Sequence, residues 1–181
     1  MNRARLANGR VGAVISIVWA WVASRGLTGT ASLAVLTVCV VLAVAVVLGL
    51  IAVGRREPSQ HPSQGDQPSL FRRPAFIAMV AAEAAGIGVW LWYAGSAGVG
   101  QGTTWIVIAV IVALHFVGMA RWTSFRYFYG VAGAMVGVAA IALAVDMITS
   151  RDDLALVVVG LGCYAVLLGS GVRAGLTVRA A

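Results

Sequence analysis

Six stretches of the chain are almost wholly apolar, and the polar residues collect in the segments between them. The apolar runs cover about residues 11–25, 31–53, 75–95, 104–120, 127–148 and 154–172. A helix that crosses a hydrocarbon layer needs about 20 such residues, and five of the runs come close to or exceed that length. The pattern predicts an all-α fold: a polytopic membrane helix bundle of six transmembrane helices, forming a single membrane domain over residues 1–181.

The first run is the shortest and ends at Arg25, so it must borrow from its flanks or let that arginine snorkel. Its charged start also fits a signal peptide, with Val18-Trp19-Ala20 as a cleavage triplet. A retained helix is the preferred reading, because Trp19 and Trp21 suit an outer interfacial belt. Residues 31–53 form the strongest span and carry no charge. Residues 54–74, GRREPSQHPSQGDQPSLFRRP, hold all four prolines and have little to bury. They read as a disordered cytoplasmic loop in which His61 is solvated. Pro74 suits the first position of the third helix. Short turns are expected at 96–103, at the basic segment 121–126 and at 149–153.

Composition supports lipid as the solvent. Of 181 residues, 61% are hydrophobic and 10% charged, against about 25% charged in a typical soluble domain. The net charge of +7 would suggest nucleic acid in a soluble protein. Here topology accounts for it. With the N-terminus cytoplasmic, the alternating loops place eleven arginines inside and two, Arg25 and Arg151, outside, which satisfies the positive-inside rule. Both termini are therefore expected in the cytoplasm, with the lipid bilayer as partner and no nucleic acid. All thirteen basic residues are arginine. With abundant Ala, Gly and Val, this fits a GC-rich bacterial genome and a multi-pass protein of the cell inner membrane.

Lipid gives helices no hydrophobic reason to associate, so small residues must let them pack closely. The fifth run offers Gly130, Gly133 and Gly137, the last two in GxxxG spacing, followed by Ala140 and Ala144. The third offers Ala78, Ala82 and Gly86, and the sixth Gly160, Gly162, Gly169 and Gly171. Packing within one chain is preferred to a dimer face, because six helices already need several such contacts.

Candidate chemistry centres on polar residues inside these runs. Glu83 lies near the middle of the third, where an isolated carboxylate must take up a proton or find a partner. Phe76, Met79, Gly86 and Trp90 share its face at helical spacing. The third and fourth runs are joined by a short turn and should be antiparallel neighbours, which brings His115 within reach of Glu83. Tyr164 is expected near the same level. Asp146 is expected to be interfacial, wet and close to Arg151.

Three functions fit such a site. A small-molecule or proton-linked carrier can use a carboxyl group that loads and releases a proton. An intramembrane enzyme can use Glu83 as a general acid toward a lipid-soluble substrate. A structural or accessory protein needs the pair only to set helix register. Transport is narrowly preferred. The sequence contains no Walker, GxSxG, HExxH or histidine-rich motif, and no cofactor or metal is expected. Cys39 and Cys163 lie in apolar runs without a CxxC pair, as small buried hydrophobes.

Residues 115–130, HFVGMARWTSFRYFYG, resemble a segment in a family of small six-helix bacterial integral membrane proteins of unknown function. There the fourth span ends in roughly His-Phe-Leu-Pro-Met-Ala-Arg. His115, Phe116, Met119, Ala120 and Arg121 match, whereas Val117 and Gly118 depart, the latter standing where the family has a proline. The resemblance implies the six-helix fold and a role for His115 and Arg121, and it implies no activity.

Overall fold

The computed structural model describes residues 2–56, 74–123 and 126–179. Every element in them is a helix: α1 Asn2–Arg25, α2 Gly29–Arg56, α3 Pro74–Ala97, α4 Gln101–Thr123, α5 Tyr127–Thr149 and α6 Asp152–Arg179. The all-α, six-helix expectation matches this architecture. Five helices are long and apolar enough to cross a membrane, over Gly29–Arg55, Phe76–Ala97, Gln101–Trp122, Tyr127–Thr149 and Asp152–Thr177. The span expected at 11–25 is not among them. Its apolar run is short, and α1 carries Arg10 and Arg25 at either end of it.

The helices overrun the apolar runs unevenly: α1 begins nine residues before its run and α6 ends seven after its own, whereas α5 exceeds its run by one. Hydropathy marks the lipid-buried part of a helix, whereas intrahelical hydrogen bonding continues beyond it. Gly54, Arg55 and Arg56, expected in the loop, complete α2. The rest of that expected loop, 57–73, and the aromatic Phe125 lie outside the described residues. The α3–α4 turn is set by Gly98 at φ +66°, a left-handed conformation that suits glycine. There the Val99 amide donates back to the Ala94 carbonyl at 2.9 Å.

The bundle is built around α6, which packs on α1, α2, α4 and α5. Ala155, Val159, Cys163 and Leu167, each four residues apart, are completely buried along it. Its most extensive partner is α1, whose Ala13, Ser16, Ala20 and Ala23 are equally buried. Small residues face one another along this seam, and the gain is dispersion contact between closely approaching backbones. A Cβ on Gly171 would lie 2.9 Å from the Gly9 carbonyl oxygen, and one on Gly160 2.7 Å from the Ala23 α-carbon.

Two expectations about packing are corrected here. Trp19, expected in an interfacial belt, is 2% exposed and meets Trp105 edge-on at 6.0 Å. Its neighbour Trp21 stays on the surface, with the Arg25 guanidinium 5.6 Å from its ring centroid. The contacts within the chain expected of Gly130, Gly133 and Gly137 are not made: a Cβ on any of them would meet nothing within 4 Å. The buried face of α5 is instead Phe128, Val131, Ala132, Met135, Ala139 and Ala142. Those side chains recur at helical spacing on the side away from the glycines.

Candidate functional site

Helix α3 stands at the edge of the bundle, with α4 as its principal neighbour. Its inward face follows helical spacing through Phe76, Met79, Glu83, Gly86, Ile87, Trp90 and Ala94, while Ala78 and Ala82, expected to pack, are exposed. Contacts along the whole seam hold α3 to α4. Near one end, Met79 lies over Gly118, where a Cβ would come to 2.5 Å from its sulfur. Toward the other end, the Trp90 indole N–H donates to the Thr104 carbonyl at 3.1 Å. Between them sit Glu83 and His115.

The His115 Nδ1 lies 2.9 Å from Glu83 Oε2, with the two side chains 11% and 21% exposed. The separation is that of an ion pair. The ring N–H, however, does not point along it, so Nδ1 is buried without an aligned hydrogen bond. Glu83 is nine residues from the start of α3 and His115 eight from the end of α4, which puts both about 12–14 Å from the same end of the bundle. Their walls are apolar. Phe76 meets the imidazole edge-on at 6.3 Å and Phe116 at 5.9 Å. Gly86 leaves α4 close enough that a Cβ there would touch Ile111 at 3.7 Å.

Of the other candidates, neither joins this pair. The Tyr164 hydroxyl donates to the Cys39 carbonyl at 2.7 Å, which ties α6 to α2. It faces away from the α3–α4 seam because α6 meets α2 on a different side. Arg121 is exposed in the last turn of α4. Cys39 and Cys163 are free and buried. Glu83 and His115 supply two metal-type donors, and no group of three forms among the described residues.

The opposite end of the bundle holds the remaining described carboxylates. Asp146 accepts a hydrogen bond from the Thr103 hydroxyl at 3.3 Å. Arg151 pairs with Asp153, Nη2 to Oδ2 at 2.6 Å. That hydrogen bond, and then the Asp153 charge, hold the guanidinium above its ordinary pKa range. Asp152 lies against the start of α4, where a Cβ on Gly100 or Gly102 would sit 2.7 Å from its Oδ1. A carboxylate there faces the positive end of the α4 dipole.

Sequence reasoning missed the α1–α6 seam. Gly9, Gly12, Ser16, Ala20 and Ala23 repeat at three- and four-residue intervals, and that signal lies in the segment judged a marginal span. It also missed Arg10, whose Nη2 donates to the Leu50 carbonyl of α2 at 3.0 Å.

No family model matches the chain, and no curated protein or solved structure matches it. The fold and site therefore define a class: a membrane-type helix bundle carrying an acid–imidazole pair between two membrane-length helices.

Proposed function

We propose that the chain is a proton-linked carrier of small molecules in a bacterial inner membrane, with Glu83 and His115 as its proton-exchanging pair. The observation that supports this is their 2.9 Å approach across a seam between an edge helix and the bundle. The two side chains keep 11% and 21% of their surface exposed, so the pair is shielded from most water and still within reach of protons. A movement of α3 along α4 would change which side reaches the pair. The arginines support an orientation with both termini in the cytoplasm. Arg10, Arg55, Arg121, Arg126 and Arg173 fall at one end of the alternating helices, and Arg25 and Arg151 at the other. The likeness of residues 115–121 to small six-helix bacterial membrane proteins is consistent with this reading and draws attention to His115.

Proteoliposomes with an imposed pH gradient test the proposal against a panel of small solutes. Uptake of at least one solute is expected to follow the gradient and to vanish in Glu83→Gln while the helical signal is retained. Gradient-independent behaviour in both proteins would remove the carrier reading. A structural role is the second reading, and it is favoured by the position of the pair in the seam that holds α3 to the bundle. In that case Glu83→Gln changes thermal stability alone. The enzyme alternative, with Glu83 as general acid toward a lipid-soluble substrate, would show instead as a product formed from a lipid extract and lost in Glu83→Gln.

A further inference from the structure

Arg10 of α1 is half-buried against α2, and among the described residues no carboxylate pairs with it. The chain passes Gly9 against Gly171 and Ala174 of α6, and Leu50 of α2 packs on the same glycine. One residue on, the Arg10 guanidinium is drawn over α2. Its Nη2 reaches the Leu50 carbonyl at 3.0 Å, and a Cβ on Gly54 would sit 2.7 Å from that nitrogen. Its Nε is buried with no hydrogen-bond partner. A guanidinium has five N–H donors, and here the α2 carbonyl takes one.

The described carboxylates are all committed elsewhere. Glu83 is with His115 and Asp153 with Arg151. Asp146 is with Thr103, and Asp152 lies against Gly100 and Gly102. The charge on Arg10 is therefore uncompensated among the described residues. Leu50 is six residues from the end of α2, about 9 Å along the axis, so a bilayer crossed by α2 would bring its headgroups near the guanidinium. Arg55 follows Gly54 directly and is exposed, and Arg173 is exposed on α6 beside the Gly171–Ala174 contact.

We propose that this end of α1 and α2 binds a phosphate-bearing anion, with Arg10 as its inner contact and Arg55 as its outer one. Guanidinium groups match phosphate oxygens in a way that ammonium groups do not. At the headgroup boundary the abundant source is the phosphodiester of an anionic lipid, which basic pockets between helices recognise. The phosphate shields a charge that α2 satisfies at a single carbonyl, and it bridges two helices that α1 brings together. The site is independent of the Glu83–His115 pair and lies on different helices.

The test uses the full chain, stripped of lipid in a neutral detergent, with its thermal midpoint read on titration with phosphatidylglycerol, phosphatidylcholine or inorganic phosphate. Phosphatidylglycerol is expected to raise the midpoint in a saturable way, while phosphatidylcholine leaves it near the starting value. Arg10→Gln should lose most of the shift and Arg55→Gln should weaken the apparent affinity several-fold. Arg126→Gln, an exposed arginine at the same end beside α5, should retain it. Arg55→Gln keeps the test decisive should Arg10→Gln fail to fold, because Arg55 is exposed. If inorganic phosphate reproduces the saturable shift, the site stands and its ligand is the free anion. Equal shifts from both lipids, or a phosphatidylglycerol shift unchanged in Arg55→Gln and Arg10→Gln, would overturn the proposal.

Discussion

Gly160 of α6 lies so close to Ala23 of α1 that a methyl group on it would come within 2.7 Å of the Ala23 α-carbon. The obstructing atoms are backbone, which cannot swing aside as the tip of a side chain can. Gly160→Ala therefore forces the two best-packed helices apart. Overpacking of this kind costs roughly 1–3 kcal/mol, and a drop of that size in unfolding free energy in detergent is expected. Gly169→Ala is the matched control, because a Cβ there meets nothing within 4 Å. Equal losses in the two variants would remove the α1–α6 seam as the centre of the fold.

The Glu83–His115 approach predicts strong coupling between two single substitutions. Removing one partner of a fully buried ion pair costs about 3–5 kcal/mol, and the 21% and 11% exposure of these side chains brings the expected cost below that. Glu83→Gln and His115→Leu are each expected to destabilise. The double variant should lose less than the sum, with a coupling of roughly 0.5–3 kcal/mol in a double-mutant cycle. Strict additivity would show that the two groups do not sense each other in the membrane.

Tyr164 is separate from that pair, and its substitution should show it. Tyr164→Phe removes the 2.7 Å donation to the Cys39 carbonyl and nothing else of comparable strength. Interhelical hydrogen bonds in membranes average about 0.6 kcal/mol, so a loss near that value is expected, with gradient-driven uptake unchanged. Uptake that falls with Tyr164→Phe at intact stability would return Tyr164 to the site.

The helices and the Glu83–His115 approach were legible in the chain because each depends on local information. Apolar run length gives a membrane-length helix. A short turn such as 98–100 makes α3 and α4 antiparallel neighbours, after which helical rise brings residues 83 and 115 level. The place of α1 was not legible by the same means. Its hydropathy is diluted by arginines, yet in lipid the packing of helices depends on small residues rather than on apolar content. For that reason the segment that looked weakest as a span supplies the main partner of α6. The orientation of α5 was hidden for a related reason. Gly130, Gly133 and Gly137 mark a face that permits close approach, but the face turned inward is decided by the shapes of Phe128, Val131 and Met135. Tyr164 was misplaced because the level of a residue along an axis says nothing about the direction in which it points.

The outward glycines of α5 give the last prediction. Since a Cβ on Gly133 or Gly137 meets open space, alanine at either position removes no contact and forces no helix apart. Both variants are expected to stay within about 0.5 kcal/mol of the parent in detergent, as surface substitutions away from packed features do. The comparison with Gly160→Ala is direct, because the same methyl group is added to a glycine in a membrane-length helix and only its surroundings differ. Measured again in bilayers, the two α5 variants should keep that neutrality if lipid alone covers the face. A loss above about 1 kcal/mol confined to the bilayer would mean that another helix approaches there, since adding one methyl to a lipid-facing glycine disturbs nothing else.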